Sequence, residues 1–182
     1  MTQRIKNIVH RKGFTLIELL VVTAIIGIMS AILFPDYNDI KGNLLLDRTA
    51  NKLSQDIRNA GEMAMSAKLL EREVPPGYGI YMETGKTYYI LYADTVPLDG
   101  NFKYDDATEN IQVIELEKGV KILSVTPEKT SINFSPPLPR IKIYSFGNPS
   151  ELSEVTIVIS LAINPARTRT IRVNAAGLVD VN

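Results

Sequence analysis

The sequence has no cysteine and a single histidine, His10, among its 182 residues. Without cysteine there is no disulfide bond, no thiolate metal site and no cysteine nucleophile. His10 lies within the first thirteen residues, so Ser-His catalysis and His-ligated metal sites are excluded from the rest of the chain. No phosphate-binding loop or paired-carboxylate arrangement stands out. The sequence therefore predicts a protein that is not an enzyme and needs no cofactor, apart from a calcium ion that one acidic loop could hold.

Acidic residues are absent from the first thirteen positions, which carry four basic residues, Arg4, Lys6, Arg11 and Lys12. The whole chain has 20 Lys and Arg against 20 Asp and Glu. Removing the four leaves 16 basic residues against 20 acidic ones, so the remainder carries a formal charge of about −4. A mildly acidic body argues against nucleic acid as a partner recognised by net charge.

A long apolar run extends from Phe14 to Phe34 and carries one charge, Glu18. As a helix it would be roughly 31 Å long, close to the hydrocarbon thickness of a bilayer. Residues 14–35 are therefore predicted to be a transmembrane helix. The basic residues before it place the N-terminus in the cytoplasm and the body on the exported side. The alternatives are an ordinary signal peptide, whose apolar core is usually shorter, and a plain uncleaved anchor.

Glu18 is unusual because a charge inside a membrane span costs about 2.5–3.5 kcal/mol at the bilayer centre. Thr15 and Glu18 fit the capping-box pattern, in which both side chains bond to free amides at a helix start. If the chain began at Phe14, the free α-amino group of a neighbouring subunit would offer the carboxylate a second partner. The two roles are compatible.

The segment around Glu18 resembles the class III signal of type IV pilins and type II secretion pseudopilins. The matching residues are Arg11-Lys12-Gly13-Phe14-Thr15-Leu16-Ile17-Glu18-Leu19-Leu20-Val21-Val22. The resemblance implies a leader of residues 1–13, cleaved between Gly13 and Phe14 by a prepilin peptidase that also methylates the Phe14 nitrogen. It implies that Glu18 pairs with another pilin or pseudopilin subunit. Further implications are an inner-membrane assembly platform, a single-pass inner-membrane location, and an extracellular or periplasmic filament after assembly.

Gly27 and Pro35 both weaken a helix, since glycine lowers helix propensity by about 1 kcal/mol and proline removes a backbone hydrogen bond. They are similar to the helix-weakening Gly and Pro of the same family, between which the helix loosens during assembly. The alternative is that an isolated span tolerates both, with a kink at Pro35.

An amphipathic helix is predicted over residues 36–74, with its regular pattern ending near Leu70. Its apolar face repeats in steps of three and four: Leu46, Ala50, Leu53, Ile57, Ala60, Ala64 and Ala67. Pro75-Pro76-Gly77 ends the helix and begins a β-rich exported head, residues 75–182. The fold class is therefore predicted as α+β, with a long N-terminal helix packed on an antiparallel sheet or sandwich, as in pilins.

The head shows alternating segments separated by short turns, which is typical of antiparallel β structure. Two hairpins are predicted, at Thr84-Gly85-Lys86 and at Glu117-Lys118-Gly119. The predicted strands are 79–83, 87–93, 111–116, 120–125, 140–144, 155–163, 169–173 and 178–181. The strand beginning at Val155 is expected to be central and mostly buried.

Two clusters in the head could bind ligands. An acidic loop could hold calcium through the oxygens of Asp94, Asp99, Asn101, Asp105 and Asp106, although its spacing differs from an EF-hand and a solvated turn is the alternative. Arg167, Arg169 and Arg172 form a local basic strand that could contact DNA; a charged edge strand that resists sheet pairing is the alternative.

The C-terminal residues 170–179 loosely resemble the final strand-turn-strand of GspH/FimT-type minor pseudopilins and pilins. The absence of a C-terminal cysteine pair also differs from many major pilins. A minor structural subunit of a pilus or pseudopilus is therefore expected. A major pilin is the alternative within the family, and a monomeric membrane-anchored protein that binds DNA or a secreted protein is the alternative outside it.

Overall fold

A computed structural model describes residues 13–33, 37–70, 72–97, 100–136, 140–146 and 150–182. Nearly all of the predicted leader, together with Pro35 and Asp99, lies outside these residues. The chain divides into two compact units, an N-terminal unit of residues 1–40 and a globular unit of residues 41–182.

Two helices of different character precede the strands. Helix α1 spans Leu16–Leu33, and apolar residues occupy every side of it. Helix α2 spans Tyr37–Met65 and is amphipathic. Its predicted apolar face is confirmed from Leu46 to Ala64, since these side chains are fully buried: Leu46, Ala50, Leu53, Ile57, Ala60 and Ala64. Burial of this stripe against the strands gives α2 most of its stability, because isolated helices are marginal in water.

Helix α2 ends at Met65, five residues before the predicted end at Leu70. Ala67 adopts a positive φ of 45°, and the Lys68 and Ala67 amides donate to the carbonyls of Met63 and Ala64. This is the hydrogen-bond pattern of a Schellman motif, in which glycine is the usual left-handed residue. Ala67 is therefore exposed and does not extend the apolar face. The prediction was wrong here because alanine gives no sequence signal of a helix end.

The globular unit has nine strands in its described residues: β1 Gly77–Glu83, β2 Tyr88–Asp94, β3 Asn110–Glu115, β4 Val120–Thr126, β5 Lys129–Ser135, β6 Arg140–Ser145, β7 Glu154–Leu161, β8 Thr168–Asn174 and β9 Val179–Val181. They form two antiparallel sheets, of order β3-β2-β1-β5-β6 and β4-β7-β8-β9. A short 3-10 helix, Ala107–Glu109, precedes β3. Helix α2 packed on antiparallel sheets confirms the predicted α+β, pilin-like fold class.

The hairpin at Thr84-Gly85-Lys86 is confirmed, because β1 and β2 pair across it. The prediction of a second hairpin at Glu117-Lys118-Gly119 is wrong, because β3 and β4 do not pair with each other. Strand β3 pairs with β2 in one sheet, whereas β4 pairs with β7 in the other. The carbonyls of Lys86 and Thr87, in the β1–β2 turn, accept hydrogen bonds from Ile122 and Leu116. The β1–β2 turn therefore lies between β3 and β4, which the sequence analysis had paired with each other.

Strand β5 was missed by the sequence analysis, because its central residues look polar. Thr130, Ser131 and Asn133 are nevertheless buried. Strand β7 lies between β4 and β8, and its residues Val155, Ile157 and Ile159 are fully buried, as expected for a central strand. Apolar side chains from both sheets and α2 form one core.

Candidate assembly site

The first turn of α1 is closed by the capping box that the sequence predicts. The Thr15 amide and hydroxyl donate to Glu18 Oε2 at 2.8 and 2.9 Å. The Glu18 amide donates back to the Thr15 hydroxyl at 3.3 Å. Both bonds that Glu18 accepts in this cap go to one oxygen, Oε2. The other carboxylate oxygen, Oε1, takes no part in the cap and can accept a hydrogen bond from a further donor.

The large apolar side chains of α1 point outward all around the helix. Their exposed fractions run from 48% at Val21 to 81% at Leu16, and Phe14, just before the helix, is 90% exposed. The two hydroxyls within α1 bond to its own backbone: Thr23 donates to the Leu20 carbonyl and Ser30 to the Ile26 carbonyl. Such bonds let hydroxyl residues sit in apolar surroundings without another partner.

No helix among the described residues is both long and apolar enough to qualify as a membrane span.

Among the described residues, Gly13 and Gly27 both stand in open space: a Cβ added to either would meet none of their atoms within 4 Å. Packing against the described part of the chain therefore requires neither glycine. Pro35 lies outside the described residues.

The acidic loop is organised from within by two buried carboxylates. Asp94, at the end of β2, accepts the Asn101 and Phe102 amides at 3.1 and 2.6 Å, and Asn133 Nδ2 at 3.4 Å. Burial raises the pKa of Asp94 to about 6, although the two amides act in the opposite direction. At neutral pH the carboxylate therefore holds the loop at a cost in desolvation.

Glu109 is the second buried carboxylate, and the sequence analysis missed it. Its Oε1 accepts the Thr95 and Val96 amides at 2.9 and 3.0 Å, and its Oε2 accepts the Asp105 amide at 2.8 Å. Glu109 thus joins both ends of the loop. Its neighbour Asp106 caps the 3-10 helix through Thr108, and this Asp-x-Thr pattern was the signal that could have revealed a turn here.

The remaining calcium candidates serve the same loop. Asp105 accepts a hydrogen bond from Asn101 Nδ2 at 2.7 Å, and the Thr108 hydroxyl and amide hold Asp106 and keep its pKa below the usual value. Asp99 lies outside the described residues. Within the described residues, no three acidic or histidine side chains come together as a metal-binding group. Calcium binding stays a prediction.

The three arginines have different surroundings. Arg169 Nε donates to Asp47 Oδ1 at 2.5 Å, which joins β8 to α2. Arg167 lies in the β7–β8 turn, and Arg172 is exposed. Arg169 lies on the same strand face as the buried Ile171 and Val173. Its bond to Asp47 therefore joins Arg169 to α2 and helps to hold β8 against that helix. The DNA contact stays a prediction.

Comparisons with known proteins cover the N-terminal segment and, for some relatives, about two thirds of the chain. Residues 9–34 match the family described as the prokaryotic N-terminal methylation motif. Two fimbrial proteins of Pseudomonas aeruginosa are each 33% identical over 122 residues, covering 66% of this chain and 71% of theirs. The type IV major alpha-pilin of Moraxella bovis is 43% identical over 65 residues, covering 36% of this chain and 38% of its own. No solved structure matches the chain significantly.

The motif lies where α1 begins, and the relatives extend over two thirds of the chain, including parts of the globular unit. The predicted resemblance and the predicted absence of enzymatic activity are both supported by these relatives, which are fimbrial proteins. The chain therefore belongs to the type IV pilin family, as a pilin precursor and a structural subunit.

Proposed function

We propose that the chain is a minor subunit of a type IV pilus or type II secretion pseudopilus, anchored in the inner membrane and polymerised through α1. The observation that carries this proposal is the exposure of α1. Fully covering one large aliphatic side chain is worth about 1.5–3 kcal/mol, and α1 presents many of them on every side. A surface of this kind is stable when lipid or the helices of other subunits cover it.

Processing would create the second partner of Glu18. Cleavage after Gly13 leaves a chain that starts at Phe14, four residues before Glu18, and methylation would then modify the new α-amino group. Gly13 supports this step because no atom of the described residues crowds it and it has no side chain to block a protease. An ammonium from a neighbouring subunit would then pair with Glu18 while Thr15 keeps its cap bonds. A buried pair of this kind fixes axial register, because displacing it leaves an uncompensated charge.

Gly27 and Pro35 would let the helix loosen during assembly. Open space around Gly27 supports this role, because no packing contact with the residues that the structure describes requires glycine there. The sequence has no cysteine, and the C-terminal strand-turn-strand is present as β8 and β9. Both features favour a minor subunit. The match to a protein named as a major pilin favours the alternative.

The proposal is tested on the N-terminus of the native protein. Mass spectrometry of chains purified from sheared filaments should find a peptide that begins with N-methylated Phe14. A chain that starts at Met1 and is absent from filaments would contradict assembly and favour a monomeric anchor. Peptide counting in the same sample decides subunit class: a minor subunit should be far less abundant than the main pilin, whereas comparable amounts would show a major pilin.

A further inference from the structure

The two sheets have four edge strands, and the described part of the chain covers one edge of each sheet. The edge strands are β3 and β6 in the first sheet and β4 and β9 in the second. The Leu152 amide donates to the Ile143 carbonyl at 2.8 Å, which covers β6. The Ile122 amide donates to the Lys86 carbonyl and the Gly85 amide donates to the Ile122 carbonyl, so the β1–β2 turn covers β4. No described backbone segment covers β3 or β9 in this way.

The open backbone groups of β9 follow from its register with β8. The amides of Thr170 and Asn182 each donate to the other residue's carbonyl, at 2.8 and 2.9 Å, so these two residues form a hydrogen-bonded pair. Since such pairs alternate along an antiparallel ladder, Val179 and Val181 direct their amides and carbonyls away from β8. Arg58 Nη2 donates to the Val179 carbonyl at 3.2 Å. No described residue bonds to the other outward carbonyl or to either outward amide.

Strand β3 has an open edge of the same kind. The Leu116 amide donates to the carbonyl of Thr87, directly opposite, so the same alternation directs the backbone groups of Val113 and Glu115 away from β2. No described residue bonds to these groups, and Val113 is 50% exposed. A register shift after Leu91 disturbs only the start of β3. Neither β3 nor β9 contains lysine or proline, which proteins commonly place on open edges to prevent pairing.

A polar groove of about 730 Å³ borders β9. Its other wall is the polar side of α2, which offers amide side chains and two opposite charges: Asn51, Gln55, Arg58, Asn59 and Glu62. This wall extends about 16 Å along the helix axis, which is the length of about five residues of an extended strand. Strand β3 has six residues. The groove therefore has the length and the hydrogen-bonding groups to receive one strand edge.

Hydrogen-bond complementarity identifies the occupant as another open strand edge. Unpartnered amides and carbonyls at strand spacing are satisfied by a strand that adds to the sheet, whereas lipid and apolar helix surfaces lack such groups. Ionic attraction contributes little, because Arg58 is the one basic residue beside β9 and the acids Glu62 and Asp180 lie in the same groove. Since β3 and β9 belong to different sheets, their pairing joins two copies head to tail. Such a contact builds helical filaments when it does not close into a ring.

We propose that β3 of one subunit pairs with β9 of a second copy of the chain, in the groove beside α2. This rests on the proposed function, since assembly brings subunits side by side, and it requires that two copies are neighbours. It gives the globular unit a direct part in subunit contacts, in addition to the part proposed for α1.

Because the chain has no cysteine, pairs of single-cysteine variants report this contact without background. Gln112→Cys changes the middle of β3 and Asp180→Cys the middle of β9, and both native residues are exposed. The two chains are co-expressed, and sheared filaments are treated with a short bismaleimide crosslinker. Leu123→Cys with Asp180→Cys is the matched control, because Leu123 is exposed on β4, whose edge is covered.

The crosslink between positions 112 and 180 should form at least fivefold more than the crosslink between positions 123 and 180. Val113→Pro removes an outward amide without removing a bond to β2, and it should lower the 112–180 yield at least fivefold.

Equal yields for the two position pairs would overturn the pairing and leave the proposed function intact, because the filaments would still contain the chain. A yield unchanged by Val113→Pro, in a chain that circular dichroism shows to be folded, would overturn it as well. If Val113→Pro does not fold, the comparison with position 123 decides by itself. Chains that never enter filaments would contradict the proposed function, and the pairing with it.

Discussion

The two helices of this chain have opposite relations to their surroundings. Helix α1 is apolar on every side and exposes its large side chains, whereas α2 is polar on one side and fully buries a narrow stripe from Leu46 to Ala64. The folding of the globular unit therefore uses the buried stripe of α2, whereas the large apolar side chains of α1 stay exposed. The difference indicates that α2 is selected for the fold of one chain and α1 for contacts outside it.

The largest expected effect is a difference in unfolding free energy between one leucine substitution in α2 and a matched one in α1. Leu53→Ala removes a fully buried side chain of α2 and should lower the free energy of unfolding by about 2–5 kcal/mol. Leu19→Ala, the matched control on α1, changes a side chain that is 64% exposed and should change it by less than about 0.5 kcal/mol. Urea unfolding of the purified full-length chain in detergent, followed by circular dichroism, measures both. Equal losses would mean that α1 also belongs to the folding unit.

A smaller effect is the pH dependence of the free energy of unfolding, which should come from Asp94 in the globular unit. The pKa of Asp94 is about 6 in the folded chain and 3.8 without the fold, so the folded state binds a proton that the unfolded chain has released. Stability should therefore increase as the pH falls through 6. The gain between about pH 7.5 and about pH 5 is about 1 kcal/mol.

The same urea unfolding, repeated across this pH range, checks the expectation. Asp94→Asn should remove the slope, because its side chain does not titrate. Asp106→Asn is the matched control and should keep the slope, since the pKa of Asp106 lies below its usual value and outside the range. A slope that survives in Asp94→Asn would assign the pH response to another group.

The smallest effect comes from the ion pair between α2 and β8. The side chains of Arg169 and Asp47 are 30% and 46% exposed, so solvent screens the pair. A double-mutant cycle with Arg169→Ala and Asp47→Ala should give a coupling energy of about 0.5–1 kcal/mol. Arg172→Ala, on the same strand, should show no coupling to Asp47→Ala. No coupling between residues 47 and 169 would contradict the structural role assigned to Arg169.

Much of the fold was predicted correctly from periodicity and local motifs. The steps of three and four that place Leu46 to Ala64 on one face, the alternation in β7 and the Thr15–Glu18 capping box are all local patterns, and each is present in the structure. The α+β class follows from them, because a long amphipathic helix followed by short alternating segments leaves few other arrangements.

The failures have physical causes that local patterns do not contain. Strand β5 is stabilised by pairing with β1 and β6, and this lets it bury Thr130, Ser131 and Asn133. The segments around Glu117-Lys118-Gly119 look like a hairpin, but their partners lie far away in sequence, in β2 and β7. Glu109 gives no signal as an isolated residue, because its role depends on amides brought to it by the folded loop.

The central claim is that α1 contacts other subunits through the negative charge of Glu18. Two substitutions in the capping box distinguish the role of this charge from the role of the cap hydrogen bonds. Glu18→Gln keeps an oxygen that can accept the cap bonds but removes the charge. Thr15→Ala removes the cap hydroxyl and keeps the charge. The measurement is the amount of each chain in sheared filaments relative to membrane-bound chain. Glu18→Gln should fall at least tenfold and Thr15→Ala should stay within twofold of the parent. Parent-like incorporation of Glu18→Gln, or an equal loss in both, would contradict the account.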